Sequence, residues 1–463
     1  MSSLGIHFSG LASGLDTRAI IDALVAVESR PIRAMEDRQK QLRNAKSKFG
    51  ELDGLLDKLR DAADALRRTG RFLDYKVALD DDTALTASVG SGAQAGTWEV
   101  EVTALARAKV SASNGKADKD ATGYGTGTLL LTVGQETRQV TVGGSNNTLE
   151  GIAAAINGAG LGVQAQVLDT GGSGSERYKL VVSSTKTGVE NAFTLTFDEG
   201  DQALQDLVAE LNAPGSANQV VAASDATFKV NGVQISRATN TIGDAIPGLT
   251  LDLKGVHAAN GKTRITVSTD ASKTAEKVKT FVDAYNKIID FVKEQNELDE
   301  EGKAKNPLFG DSTVRTVRSA LRAILGGSVD TGNEAYALLA QVGITADRDG
   351  RLTFEQGKLE TALGDDENAV ERLFTSANGG IAQRIYDQID TFTDAVDGLF
   401  KARNDGFDRR IKDLDQRIDA AERRLEAYES QLVAKFTAME TLIGRLQGQG
   451  GSLGSLANRT PQR

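Results

Sequence analysis

The sequence predicts a multidomain α+β protein. Both chain ends form an α-helical coiled-coil leg, and a β-rich head of two small domains is inserted between them. Three observations support this fold class. The chain has 463 residues, more than one hydrophobic core usually serves. Charged residues are sparse between positions 76 and 270, with 14 Lys/Arg and 21 Asp/Glu, and dense outside this range. Apolar residues follow a helical period near the chain ends and alternate in the middle.

The helical period is clearest near the carboxyl terminus. Between residues 404 and 446, apolar residues recur every seven positions, and a second apolar series lies three residues after the first. Sustained heptads of this kind predict a coiled coil. In this arm we assign to the coiled coil Ile411, Leu414, Ile418, Leu425, Tyr428 and Leu432. We assign to a terminal assembly segment, residues 436–463, the side chains of Phe436, Met439, Leu442 and Leu446.

A shorter apolar stripe near the amino terminus matches this arm. Its coiled-coil positions are Leu42, Phe49, Leu52, Leu56, Leu59 and Leu66. A lone helix that spans only this stripe, from Leu42 to Leu66, is marginally stable. We therefore expect residues 42–75 to pair with the helical region 271–435. Before it, residues 1–41 form a second terminal assembly segment, on a helix begun by Ser13 or Asp16, with the apolar residues Leu11, Leu15, Ile20 and Leu24. We expect both terminal segments to order when subunits meet.

The middle of the chain is predicted to form short strands. Alternation at Trp98, Val100 and Val102 is typical of a half-buried strand, and Asn231-Gly232 favours a tight hairpin turn. One short helix is predicted from Thr148 to Asn157. We assign residues 76–106 and 228–270 to an inner β-rich head domain and residues 107–227 to an outer one. After Ser272 the helical period returns, and carboxylates at 365–367 lie where another helix is expected to begin.

Composition excludes several function classes. A net charge of -10 disfavours nucleic acid as a partner, and no apolar run is long enough to be inserted in a membrane. The first residues lack the features of a cleaved signal peptide. There is no cysteine and there are only two histidines, so we expect no enzyme activity, catalytic residue, cofactor or metal site. Asp347–Gly350 resembles part of a calcium loop, but Gln356 stands where a glutamate is required, so a turn is favoured.

Several motifs resemble one known family. GLASGLDT at residues 10–17 resembles the opening of bacterial flagellar filament cap proteins, the flagellar hook-associated protein 2 family. Further segments are similar to family segments in the same order: GTWEVEVTALA (96–106), the stretch 228–254, FVDAYNKII (281–289), GDSTVRTVRSALRAIL (310–325) and KFTAMETLIGRLQ (435–447). Residues 107–227 are the loosest match, apart from 148–167, which resemble a motif shared by flagellins and hook-associated proteins.

The resemblance implies a secreted protein, exported through the flagellar type III pathway and located at the distal tip of the filament. There it would form a ring-like homo-oligomer that promotes folding and insertion of exported flagellin. The implied partners are further copies of the chain, flagellin, the hook–filament junction proteins, and an export chaperone at the C-terminal helix. Two alternatives stay open: another hook–filament junction protein, or a surface adhesin that acts through the head domains.

Overall fold

The computed structural model describes residues 14–172, 174–212, 219–375 and 379–457. The chain divides into two compact units. The helical unit comprises Met1–Phe72 and Ala275–Arg463, and the β-rich unit comprises Leu73–Thr274. The β-rich unit is therefore an insertion in the chain of the helical unit. This architecture confirms the predicted α+β fold class, with helices from both chain ends and a β-rich middle.

The helices and strands follow one another along the chain. The helices are α1 (Thr17–Glu28), α2 (Arg30–Leu66), α3 (Leu149–Gly158), α4 (Gln202–Asn212), α5 (Ala271–Gln295), α6 (Ser312–Leu325), α7 (Gln356–Thr375), α8 (Ile381–Thr393) and α9 (Leu399–Ala457). The strands are β1 (Tyr75–Leu79), β2 (Leu85–Val89), β3 (Gly96–Ala104), β4 (Val110–Ala112), β5 (Gly127–Val133), β6 (Glu136–Val142), β7 (Val163–Asp169), β8 (Tyr178–Ser184), β9 (Phe193–Gly200), β10 (Gln219–Val221), β11 (Ala226–Val230), β12 (Val233–Arg237), β13 (Thr241–Ile246), β14 (Leu249–Leu253), β15 (Thr263–Thr269), β16 (Ile344–Ala346) and β17 (Leu352–Phe354).

In the helical unit, α2 packs along α9 and α8. The first pair is antiparallel, because Gln39 donates to Asp415 while Lys46, seven residues later, pairs with Asp408, seven residues earlier. Phe49 lies where α2 contacts the first turns of α9. Its ring stacks on Phe400 with centroids 4.4 Å apart, and it meets Phe407 edge-on at 6.0 Å. The aromatic cluster fixes where α2 meets the start of α9.

The amphipathic helix α5 anchors a small hairpin in the same unit. The Asn286 side chain, which is buried, donates to the carbonyl of Leu352 at 2.9 Å and accepts from its N–H at 2.7 Å. Tyr285 donates its hydroxyl to the carbonyl of Gly350 at 3.0 Å. Two side chains of α5 thus satisfy backbone groups of the hairpin β16–β17, which confirms the turn favoured at Asp347–Gly350.

The β-rich unit contains two separate hydrophobic clusters. One is covered by the sheets β1-β15-β3-β11-β12 and β13-β14-β2. The other lies between the sheets β10-β4-β8-β7 and β6-β5-β9 and the helices α3 and α4. Leu85, Phe228 and Ile265 are fully buried in the first cluster, and Leu131 and Phe193 in the second. The two clusters are the two small domains that the alternating sequence predicts.

Local predictions in this unit are confirmed. Asn231 and Gly232 have φ values of 49° and 86° and join β11 to β12 in a two-residue turn. Only residues that tolerate positive φ fit here, which explains the Asn-Gly pair. The predicted helix at 148–157 is α3, and its N-cap is Thr148, whose hydroxyl accepts from the N–H of Gly151 at 3.0 Å.

Other boundaries differ from the sequence-based expectation. α7 begins at Gln356, before the carboxylates at 365–367, and Asp366 interrupts it with φ -149° and ψ 83°. α2 runs without a break through the boundary set at 41/42, and α9 runs through 435/436 as far as Ala457. None of the helices in the described ranges is long and apolar enough to cross a membrane.

A candidate assembly surface on the terminal helices

The first described turns of the chain hold a capped helix. Asp16 is the N-cap of α1, and its carboxylate accepts from the N–H of Ala19 at 3.0 Å. This confirms the predicted helix start. After α1 ends at Glu28, α2 starts at Arg30 with Pro31 in its first turn, where proline's fixed φ and missing N–H are tolerated. The helix boundary thus follows from the cap and the proline.

Helix α1 carries apolar side chains on two neighbouring faces. Ile21 and Val25 are half-buried, on the face that also holds the buried Thr17, and α1 packs against α9. The neighbouring face is exposed: the exposed fractions are 37% for Ile20, 39% for Leu24 and 54% for Val27. We call these last three residues the α1 stripe. A helix that is apolar over so wide an arc is usually covered on more than one side.

The C-terminal part of α9 shows the same division. Leu432 is buried, whereas Leu425, Tyr428, Phe436 and Met439 are half-buried. Further along, Leu442 and Leu446 are 59% and 58% exposed. Of the other predicted assembly residues, Leu15 is exposed and Leu11 lies outside the described residues. The terminal helices therefore present apolar side chains that the described part of the chain leaves largely uncovered.

The predicted coiled-coil positions on the two arms differ in burial. All six on α2 are buried, namely Leu42, Phe49, Leu52, Leu56, Leu59 and Leu66. On α9, Ile418 is buried, while Ile411 and Leu414 are half-buried like Leu425 and Tyr428. The difference arises because α2 has both α8 and α9 as neighbours, whereas α9 is covered mainly by α2 and α1.

Two important contact residues were absent from the sequence-based assignment. Phe400 and Phe407 are both buried and both contact the ring of Phe49. The signal was present in the sequence, because they extend the seven-residue series of Leu414 backwards by two steps. They were missed because the assigned series began at Ile411 and Leu414.

Ion pairs between α2 and α9 are exposed and contribute little to stability. Lys46 and Asp408 keep 39% and 57% of their side-chain surface exposed, and Arg43 is 3.6 Å from Asp415 on an equally open surface. Exposed pairs of this kind contribute roughly 0–1 kcal/mol each. The apolar and aromatic contacts therefore hold the pair together, and the charges keep its outer surface polar.

The calcium-like stretch serves a structural role. The carboxylate of Asp347 accepts from the N–H of Arg351 at 2.9 Å, and Asp349 forms an ion pair with Lys293 at 2.9 Å. Gly350, with φ 89°, closes the turn. Across the described ranges, no group of three or more His, Cys, Asp or Glu side chains is placed to hold a metal ion.

Comparison with known proteins agrees with this architecture. Residues 13–109 match the model of the flagellar hook-associated protein 2 N-terminus, and residues 223–448 match that of its C-terminus. The chain is 31% identical to flagellar hook-associated protein 2 of Escherichia coli K12 over 461 residues, which cover 96% of each chain. It is 33% identical to the B-type protein of Pseudomonas aeruginosa over 364 residues, or 75% of each.

A solved structure is also similar to this chain. The crystal structure of the D1-D2-D3 domains of the flagellar cap protein FliD from Escherichia coli matches with a TM-score of 0.66 and 32% identity. The match covers 78% of this chain and 99% of that one. The resemblance seen in the sequence motifs is thereby confirmed. The chain belongs to the flagellar hook-associated protein 2 family.

Proposed function

We propose that this protein caps the growing tip of a bacterial flagellar filament. It does so as a ring-like homo-oligomer that promotes folding and insertion of exported flagellin, without catalysing a reaction. Membership of the flagellar hook-associated protein 2 family supports the proposal, as does the similarity to a solved flagellar cap protein. The protein is exported through the flagellar type III pathway and acts at the distal end of the filament.

The observation that carries the proposal is the α1 stripe. Ile20, Leu24 and Val27 lie on successive turns of one helix and remain exposed. Full burial of each such side chain yields about 1.5–3 kcal/mol, so a surface that left them in water would forgo several kcal/mol. A grouped apolar stripe on a helix is typical of a surface that a partner helix covers.

The helical unit is well suited to present this stripe. The buried core positions of α2, together with Phe400 and Phe407 of α9, make a firmly packed helical base. The assembly residues lie on α1 and on the last part of α9, where packing is sparser. A firm base with sparsely packed ends lets the ends bind and release neighbours while the fold persists.

The partners follow from this assignment. The terminal helices contact flagellin and the neighbouring cap subunits at the filament tip, and the hook–filament junction proteins before the filament has grown. The C-terminal helix, which keeps Leu442 and Leu446 exposed, binds the export chaperone before secretion. Each of these contacts buries apolar side chains that the described part of the monomer leaves in water.

The first test is genetic. Deletion of the gene should abolish normal filaments and release unpolymerised flagellin into the medium, and the wild-type gene should restore assembly. The double variant Ile20→Asp/Leu24→Asp should be secreted but should fail to restore filaments, because two carboxylates replace the centre of the stripe. The matched control is Val233→Asp/Val256→Asp, which alters two exposed valines of the β-rich unit and should restore assembly.

The readouts separate the parts of the proposal. Normal filaments without flagellin leakage in the deletion strain would show that the chain is not a cap. If Ile20→Asp/Leu24→Asp fully restored filaments, the protein could still be a cap, but the α1 stripe would not be needed for assembly. Circular dichroism and thermal unfolding of each purified variant exclude a simple folding defect.

A further inference from the structure

A cleft in the helical unit has an unusual charge. It has a volume of about 500 Å³ and is bounded by α2, the loop at 304–308 and the start of α9. Its lining includes four cationic side chains, Arg38, Lys305, Arg403 and Arg410, and none of the described lining residues is Asp or Glu. The whole chain carries a net charge of -10, so this concentration of positive charge runs against its average composition.

Among the cationic residues that line the cleft, Arg403 is held in place by an ion pair. Its guanidinium pairs with Asp311, whose side chain is buried and also caps α6 by accepting from the N–H groups of Thr313 and Val314 at 2.8 and 3.3 Å. The guanidinium carbon lies 4.6 Å from the centroid of the Phe407 ring. The Nε of Arg403 is buried, however, and has no hydrogen-bond partner. A buried charged donor without a partner is costly.

The carboxylates on neighbouring turns do not neutralise the cleft. Asp408 pairs with Lys46, and Asp415 accepts from Gln39 and lies near Arg43. These partners lie on α2 outside the cleft lining. These two carboxylates of α9 therefore interact with residues outside the cleft lining.

The cations at the rim are available to a ligand. Arg38 donates to the neutral amide oxygen of Gln41 at 3.1 Å, and Arg410 forms no ion pair with any residue in the described ranges. Lys305 is the exception, since it pairs with Glu297 at 2.8 Å on an exposed surface. Three guanidinium groups thus line one cavity, and of these only Arg403 is paired with a carboxylate, that of Asp311, which is not a lining residue.

We propose that this cleft binds an acidic peptide segment through its carboxylate side chains. Guanidinium groups match carboxylates in a bidentate geometry, which favours this ligand class over an uncharged one. The apolar walls, formed by Leu42, Leu308 and Phe407, suit the aliphatic part of a peptide. The cavity is also larger than a single small oxyanion requires. The site is separate in sequence from the α1 stripe and does not depend on the proposed cap function.

Fluorescence anisotropy with a labelled peptide of alternating Glu and Ala tests the proposal on the full-length protein. The peptide should bind saturably, and affinity should fall as salt is added, because the Coulomb attraction is screened. The isosteric Gln/Ala peptide should bind at least about tenfold more weakly. Arg410→Gln should weaken binding of the acidic peptide about tenfold, and Arg38→Gln/Arg410→Gln should weaken it further.

Arg409→Gln is the matched control. It removes the same charge one residue away, on a side chain that is exposed and does not line the cleft, and it should leave affinity unchanged. Equal losses in Arg409→Gln and Arg410→Gln would show that only net charge matters and would overturn the site. Absence of saturable binding, or saturable binding of inorganic phosphate without binding of the acidic peptide, would overturn the ligand class. Thermal unfolding of every variant verifies that the fold is retained.

Discussion

At the scale of single residues, burial sets how much each apolar position of the helical unit contributes. Leu52 on α2 is fully buried, Leu425 on α9 is half-buried and Leu442 on the same helix is exposed. The three are the same residue type on helices, so replacing each by aspartate isolates burial as the variable. The relative losses in free energy of unfolding show how closely each of these positions is packed.

We predict a graded loss of stability across these three variants. Leu52→Asp should lower the free energy of unfolding by more than about 4 kcal/mol, since it removes buried apolar area and buries a carboxylate. Leu425→Asp should give an intermediate loss, and Leu442→Asp should cost less than about 1 kcal/mol. Urea unfolding followed by circular dichroism measures all three. Equal midpoints for Leu52→Asp and Leu442→Asp would contradict the packing of α2.

At the scale of the element, α7 shows how one carboxylate divides a helix. Asp366 has extended backbone angles inside α7, and its side chain accepts from the Asn333 amide and from the N–H of Ala369, both at 3.0 Å. It therefore acts as the N-cap of the second half of the helix. These hydrogen bonds, first that of Asn333, lower the pKa of Asp366 below its usual value of 3.8.

The sign of the pH dependence follows from the lowered pKa. The folded state binds the proton more weakly than the unfolded state, so the stabilisation is present above the usual pKa and is lost as pH falls through the folded-state pKa. Asp366→Ala should be less stable than wild type at neutral pH, and the difference should shrink in acid below pH 3.8. Asp366→Asn keeps a capping oxygen but does not titrate, so its advantage over Asp366→Ala should not change with pH. Thermal unfolding over a pH series measures this, and a constant difference between wild type and Asp366→Ala would contradict the capping role.

The sequence predicted the helices of the chain ends but not the register in which they pair. Heptads identify a helix and its apolar face, and the buried stripe of α2 follows them closely. A slide of seven residues, however, again brings apolar positions opposite apolar positions, so the pattern alone cannot choose among registers. The choice depends on specific contacts, here the packing of Phe49 against Phe400 and Phe407. The exposed α1 stripe was visible as apolar spacing, whereas the cationic cleft combines residues from three distant segments and has no local signal.

At the scale of the whole molecule, the β-rich unit is inserted between Phe72 and Ala275 of the helical unit. The change in charge density near residues 76 and 270 lies within a few residues of these limits, because short alternating strands need fewer charged positions than exposed paired helices. Within the β-rich unit, the two ends of the insertion are neighbours. β1 pairs with β15 from Tyr75 to Leu79, and Asp270 donates its N–H to the carbonyl of Asp74 at 2.7 Å.

Adjacent ends and a separate core predict that residues 73–274 fold without the rest of the chain. The N–H of Asp74 donates to the hydroxyl of Thr274 at 3.0 Å, so cutting at these limits preserves the contact that joins the ends. The isolated fragment should therefore unfold cooperatively in calorimetry, with slowly exchanging amides in β3 and β15. A fragment that begins at residue 81 is the matched control: it lacks β1, uncovers the edge of β15, and should unfold at a lower temperature. If residues 73–274 show no cooperative transition, the two hydrophobic clusters need the helical unit to fold. The inserted residues would then form a compact unit that is not stable by itself.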